Sequence, residues 1–141
     1  VGEGTLRPAL EAQVRQMGLS EKVLFLGTQR SIPEILASLD LFVLPSLWEG
    51  LPKSLIEAMS AGLVCVGNNV TGINEIIQDN ITGYLSPSSD ATDLARTIMR
   101  ALSGDQEKIS RAAREFICKE FSLEAIVIKE LAILRRILES K

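Results

Sequence analysis

The chain contains no histidine. That one absence removes Ser–His and Cys–His nucleophilic systems, histidine general bases and histidine metal ligands together. Its two cysteines, Cys65 and Cys118, fit neither a disulfide framework nor a Cys-x-x-Cys metal or redox motif. Cys65 lies in an apolar run and reads as a small buried hydrophobe, a usage that suits a reducing cytosol. No apolar run approaches the roughly 18 residues a membrane span needs, and no signal-peptide pattern is seen, so a soluble chain is expected. Positive charge is not in excess either. Fifteen Lys and Arg against eighteen Asp and Glu leave a net charge of −3. No broad cationic field is available to grip nucleic acid or an anionic membrane.

What is present is ordinary for a globular protein: 141 residues, 46% hydrophobic and 23% charged. At roughly 150 residues per domain this is one domain. A chain of that size buries roughly 68–70% of its unfolded surface, enough for a core without staples.

Periodicity supplies the elements. Leu6, Leu10, Val14 and Met17 lie at helical spacing and predict a helix from Leu6 to Met17, stopped by Gly18. Val23 to Leu26 is a short apolar run closed by Gly27 and predicts a buried strand. Ser31-Ile-Pro-Glu34 matches a capping box and opens a helix to about Ser38. Further strands are expected at Leu41–Leu44, Leu63–Val66 and Gly83–Leu85, with a helix from Pro52 to Gly62. Gly67-Asn68-Asn69 reads as a polar loop, Asn74 to Gln78 as a helical turn and Asp79-Asn80 as a tight turn. From Asp90 the pattern is purely helical, over Asp90–Leu102, Gln106–Phe116 and Leu123–Leu138. Apolar strands alternating with helices predict a doubly wound parallel α/β sheet, followed by C-terminal helices. A sheet of this kind starts with a strand, and this chain starts at what reads as the end of one, so a piece cut from a longer polypeptide is one expectation and a small sheet the other.

In open α/β sheets, ligands bind beyond the carboxyl ends of the strands, where helix N-termini aim N–H groups outward. The richest such junction runs from Leu44 to Glu57. Pro52 is expected to fix the first helical turn, leaving the amides of Gly50, Leu51, Lys53 and Ser54 at the positive end of a helix. Such an anion site is worth up to ~2 kcal/mol per charge. Gly50 has no Cβ to keep a ligand from the backbone. Glu49 precedes the helix, and Glu57 falls on its polar face with Lys53 and Ser60, opposite Leu55, Ile56 and Met59. Carboxylates so placed accept hydrogen bonds from sugar or ribose hydroxyls. The alternative is that Lys53 and Glu57 form a plain i,i+4 surface pair.

From Phe25 to Pro87 the chain resembles the nucleotide-sugar-binding half of GT-B fold glycosyltransferases of family 4, the group 1 type. The resemblance rests on Phe25-Leu-Gly27, Ile32-Pro-Glu-Ile-Leu-Ala37, Asp40-Leu-Phe-Val-Leu-Pro-Ser46, Trp48-Glu-Gly-Leu-Pro52, Leu55-Ile-Glu-Ala-Met59, Ala61-Gly62, Gly72-Ile73 with Glu75, and Gly83-Tyr-Leu85. Val1-Gly-Glu-Gly4 with Leu6-Arg7 is similar to that family's preceding strand-end turn, and the likeness continues more weakly through the Asp90 helix. Val64, Thr71 and Asn74 depart from the family's usual residues.

The resemblance implies roles position by position. Glu49 bonds a hydroxyl of the donor hexose, in the position of the catalytic carboxylate, and the Gly50 and Leu51 amides fix the sugar. Pro52, Lys53, Ser54 and Leu55 face the diphosphate, Glu57 holds the ribose, and Gln29 and Arg30 hold the base; Arg30 also reads as a solvated arginine. Asn68, Asn69 and Thr71 line the sugar rim or serve ordinary turn chemistry. Trp48 shapes the sugar pocket or anchors the loop in the core. The implied activity is retaining hexosyl transfer from a UDP-sugar or other nucleoside-diphosphate sugar to a glycan, lipid or small molecule, with no metal and no further cofactor. The leaving phosphate oxygen takes the acceptor's proton, which suits a site without a protein nucleophile.

The family's cationic Gly-Arg and Lys-Gly segment and its acceptor-binding domain have no counterpart here and are expected upstream of Val1. The organisation expected is thus one partial donor-binding domain over 1–141, with an α/β core in 1–88 and helices in 89–141. Its partners are a nucleoside-diphosphate sugar and the missing domain, with no nucleic acid. The setting implied is the cytoplasm, with peripheral contact at the inner face of a membrane for the full-length enzyme as a variant. The strand order implied, 3-2-1-4-5-6, leaves Val23–Leu26 and Leu41–Leu44 without their usual neighbours, and predicts an isolated chain that is marginal, rearranged or self-associated. The apolar stripe of Leu123–Leu138 is expected to pack on the body of the protein, membrane-surface binding being the less economical reading; the resemblance implies a last helix that reaches back to the other domain and is therefore under-covered here. A non-catalytic α/β binding or interaction module is the alternative of a different class; a nucleotide-sugar epimerase would need a histidine that the chain lacks.

Overall fold

The computed structural model of the chain describes residues 1–139. It divides into two compact units, Val1–Ile35 and the remainder from Leu36 on.

In the first unit, helix α1 spans Arg7–Gln16, with Leu6 as its N-cap and proline in its first turn. It ends at the expected stop: the Met17 and Gly18 N–H groups return to the carbonyls of Gln13 and Arg15, each at 3.0 Å. Arg7 ties the unit together. Its Nε donates to Glu11 at 2.8 Å and its Nη2 to the Phe25 carbonyl at 3.1 Å, with the guanidinium 6.0 Å from the centre of the Phe25 ring. Hydrogen bonds and opposite charge from Glu11 and Glu3 raise the arginine's pKa further.

The strand expected at Val23–Leu26 does not form. Two of its carbonyls are engaged elsewhere, Phe25 by Arg7 and Leu26 by the Gln29 amide at 2.5 Å, and the Gly27 carbonyl just beyond accepts from the Gly2 N–H at 2.7 Å. Apolar residues extend readily, but a strand needs a ladder, and Leu24 is left 75% exposed. Helix α2, Ile32–Ala37, follows Ser31 as expected and carries Glu34 in its first turn.

The second unit holds the sheet. Strands β1 (Leu41–Leu44), β2 (Val64–Asn68) and β3 (Tyr84–Ser86) are parallel and ordered β1-β2-β3. Leu41 lies opposite Val64, Leu44 opposite Gly67, and Asn68 opposite Ser86. The central strand is buried throughout, whereas β1 at the edge is half-buried. The sequence expectation placed β2 at Leu63–Val66 and assigned Gly67 and Asn68 to a loop; both instead continue the strand, because β3 offers them partners. β3 is likewise shifted, taking in Ser86 and leaving out Gly83.

Val64 and Val66 join Tyr84, Ala101 and Ile109 in one buried cluster, against which Leu41, Val43, Leu94 and Ile98 pack. Cys65 and Gly67 face the other way, as strand alternation requires. There a Cβ on Gly67 would lie 2.6 Å from Ile73 Cγ2, so the glycine lets the Ile73 turn close on the sheet. That turn runs from Val70 to Ile77, earlier than expected. Both faces of β2 are covered, which is why it reads as one apolar run. Burial pushes the Cys65 thiol up to about 12.

Helix α3 is Lys53–Ser60 and packs on β1, β2 and α5. Helix α4, Ala91–Ser103, covers β2 and β3; its N-cap Asp90 accepts from the Thr92 N–H at 2.7 Å, a bond that lowers the carboxyl's pKa. Helix α5, Gln106–Phe121, runs five residues beyond the expected Phe116, because Ile109, Ala113 and Ile117 prolong its buried stripe at i,i+4 spacing. Helix α6 is Leu123–Glu139 and meets α5, where Lys129 Nζ bridges to Glu120 at 2.8 Å and lowers that carboxyl's pKa.

Among the described residues α6 packs on the body mainly through α5, and its apolar stripe is under-covered, as the resemblance implies. None of its described residues is buried, and Leu123, Leu131, Leu134 and Leu138 are all about half exposed or more. No helix among the described residues is long and apolar enough to cross a membrane.

Candidate functional site at the β1–α3 junction

β1 ends at Leu44 and the chain leaves the sheet through Pro45 and Ser46. Two devices shape the loop that follows. Ser46 Oγ donates to Glu49 Oε1 at 2.7 Å, folding the carboxylate of a half-buried Glu49 back toward the strand end. Gly72, at φ +82, packs against the loop's backbone; a Cβ there would fall 2.8 Å from the Glu49 carbonyl carbon and 2.9 Å from the Gly50 oxygen. An L side chain is strained at that φ and has no room at that contact.

The start of α3 follows from its local chemistry. Pro52 takes φ −75 and ψ 86 and is the N-cap, outside the helix, which corrects the expectation that it sits inside the first turn. A proline costs nothing there, since its missing N–H would have no intrahelical partner. The Pro52 carbonyl accepts from Leu55 at 3.0 Å and Ile56 at 3.2 Å. No side chain caps the helix. Among the described residues, the Lys53 and Ser54 N–H groups meet no protein acceptor. Two outward N–H groups at the positive end of a helix form an anion-binding corner.

Leu55, Ala58 and Met59 anchor α3 in the core, while Lys53, Ser54 and Glu57 are exposed on its other side, as the helical wheel predicts. Among the described residues Lys53 and Glu57 form no ion pair, and both are exposed. Gly50 is exposed, with nothing within 4 Å of the position of a Cβ. Leu51 is exposed beside it, and Trp48 is 80% exposed, so Trp48 is not a core anchor.

Among the rim candidates, Asn69 Oδ1 accepts from Asn74 Nδ2 at 3.0 Å and its N–H donates to Ser86 at 2.9 Å, which is turn chemistry. Thr71 is exposed. Asn68 behaves otherwise. It is buried, its Nδ2 reaches the carbonyls of Pro45 and Ser46 at 3.1 and 3.2 Å, and its Oδ1 meets no protein donor. In the first unit, Gln29 turns its amide onto the Leu26 carbonyl, and Arg30 is exposed. No cluster of three or more metal-ligating side chains occurs among the described residues.

Sequence reasoning missed Ser46 and the clamping role of Asn68. The signal for Ser46 was its i,i+3 spacing to Glu49 in a loop; Asn68 carried none, because its partners lie more than twenty residues away.

Residues 1–116 match the family described as Glycosyl transferases group 1. The chain is similar to the Escherichia coli UDP-Gal:alpha-D-GlcNAc-diphosphoundecaprenol alpha-1,3-galactosyltransferase, at 35% identity over 94% of this chain and 35% of the relative. It is 36% identical to the Bacillus anthracis N-acetyl-alpha-D-glucosaminyl L-malate synthase, over 90% of this chain and 34% of that protein. Among solved structures it is similar to Anabaena HepE in complex with UDP-glucose, with a TM-score of 0.81 and 25% identity over 96% of this chain and 37% of that one. The chain thus spans about a third of the length of the curated relatives it matches. With a match over most of its residues, a parallel α/β sheet and an open helix N-terminus at the strand ends, the chain belongs to the group 1 glycosyltransferases, in the C-terminal domain of their GT-B fold.

Proposed function

We propose that this chain is the donor-binding domain of a retaining glycosyltransferase, which moves a hexosyl unit from a UDP-sugar to a glycan, lipid or small-molecule acceptor. The observation that carries the reading is the uncapped start of α3, with the Lys53 and Ser54 N–H groups unmatched beside the open backbone at Gly50. The diphosphate is the anion assigned to this corner. UDP is favoured because the similar E. coli enzyme is named for UDP-Gal and the similar HepE structure holds UDP-glucose.

In this reading, Glu49 accepts from a hexose hydroxyl, the Gly50 and Leu51 amides fix the sugar, the Lys53 and Ser54 amides face the diphosphate, and Glu57 accepts from the ribose hydroxyls. Pro52 and Leu55, expected to face the diphosphate as well, are buried, and the Leu55 N–H is taken by the Pro52 carbonyl, so they support this corner from behind. Gln29 and Arg30 are the residues assigned to the base. Ser46 limits the freedom of the Glu49 carboxylate, so less order is lost when the sugar arrives. Transfer then relies on positioning and on stabilising the diphosphate charge as it develops. The α3 N-terminus contributes its dipole; the cations that complete that stabilisation are assigned to the family's Gly-Arg and Lys-Gly segment, expected upstream of Val1, and the acceptor site to the acceptor-binding domain. The domain reading is one partial donor-binding domain over 1–141, its α/β core in 1–88 and its helices in 89–141, of which residues 140 and 141 lie outside the described residues.

Titrating UDP against the chain and its Glu57→Ala variant by calorimetry tests the assignment. The wild type is expected to bind, and the variant to bind about 10–100-fold more weakly, the scale of lost charge-assisted hydrogen bonds. A folded wild type that binds no UDP, or a variant that binds equally well, overturns it and leaves a non-catalytic module.

A further inference from the structure

The last backbone pair between β1 and β2 is Leu44 with Gly67. One step further along, Pro45 would face Asn68, and a proline has no N–H with which to extend a ladder. The side chain of Asn68 bridges this gap. Its Nδ2 donates to Pro45 and Ser46, two carbonyls in succession, at 3.1 and 3.2 Å. Two acceptors opposite one amide group also settle its orientation: with the amide reversed, Oδ1 would face two carbonyl oxygens. Oδ1 therefore points elsewhere, buried and without a protein donor. A buried acceptor left unmatched is a cost that an apolar residue of similar size would avoid. Core packing alone does not select asparagine here; its two N–H groups do.

The clamp acts on the segment that carries the sugar contact. The same Ser46 whose carbonyl Asn68 holds sends its Oγ to Glu49. We infer that Asn68 is a positioning residue: by pinning Pro45 and Ser46 it presets the Glu49 carboxylate for the hexose of the donor. The inference rests on the proposed role of Glu49, and it adds a determinant of how much the sugar contributes to donor affinity.

The test compares UDP with UDP-glucose as calorimetric ligands for the wild type, Asn68→Asp, Asn68→Ser, Glu49→Ala and the Asn68→Asp/Glu49→Ala double variant. Asn68→Asp keeps the shape and removes both donors; Asn68→Ser keeps one donor. The wild type is expected to bind UDP-glucose more tightly than UDP. Asn68→Asp should cut that ratio by about tenfold with UDP affinity unchanged, Asn68→Ser should cut it less, and the double variant should match Glu49→Ala, as coupled residues do. Hydrogen exchange at the Ser46 to Leu51 amides should quicken in Asn68→Asp while the β2 amides stay protected. A full glucosyl gain in Asn68→Asp, or equal losses for UDP and UDP-glucose, overturns the inference. So does loss of cooperative melting in both single asparagine variants, which would assign Asn68 to the fold at large. A wild type that binds neither ligand overturns the donor-site reading instead, and the exchange rates alone then judge the clamp.

Discussion

Val23–Leu26 and Val64–Asn68 begin alike, as short apolar runs at the end of a turn, and end differently. The second is the middle strand of a parallel sheet, hydrogen-bonded on both sides and buried over its whole length. The first has no ladder, and its Phe25 and Leu26 carbonyls are taken by an arginine and a glutamine. Strand propensity describes a fit to a pleated, half-buried surface, and that surface must be supplied by neighbours. β1 stands between the two cases: paired on one side, at the sheet's edge, and half-buried.

The contrast is sharpest in stability. Val66→Ala removes a fully buried side chain from the central cluster and should cost about 2 kcal/mol, whereas Leu24→Ala should stay within about 0.5 kcal/mol. Urea unfolding of both variants checks this, and equal costs would mean that Val23–Leu26 is packed in solution. Gly72→Ala comes next. It strains a backbone at φ +82 and drives a methyl into the Glu49–Gly50 backbone, and should cost about 1–3 kcal/mol. Unlike Val66→Ala, it should also weaken donor binding, which places the loop rather than the sheet at fault.

The smallest effect is expected at the cap of α4. The Thr92 N–H lowers the Asp90 pKa, so the carboxylate adds stability above the ordinary aspartate range and loses it as the pH falls through the lowered value. Asparagine caps a helix without charge. The melting temperature of Asp90→Asn should therefore lie a few degrees below wild type at neutral pH and converge with it in acid. A constant gap would show that charge plays no part.

The same contrast explains what the chain disclosed in advance. The helices α1, α3 and α4 were legible because their signals are local: periodic apolar residues, a proline at the start, an aspartate cap. Leu41–Leu44 was legible because its neighbour had equally clear apolar content. The lengthening of β2 through Gly67 and Asn68 was not, since it depends on β3 lying alongside. α6 is a related case: its broad apolar stripe predicts a partner surface, and among the described residues α5 provides only part of one. At the junction, Glu49, Gly50 and Glu57 stood out by type and spacing, whereas the Asn68 clamp joins residues 22 and 23 apart and appears only once the strands pair.

The account turns on whether a diphosphate docks at the start of α3. Following the backbone amide resonances of the chain during a UDP titration tests this most directly. The account predicts saturable shifts centred on Gly50, Leu51, Lys53 and Ser54, with the α4 and α5 amides unmoved. Saturable shifts centred on another element, or no shifts in a folded chain at millimolar UDP, would contradict it.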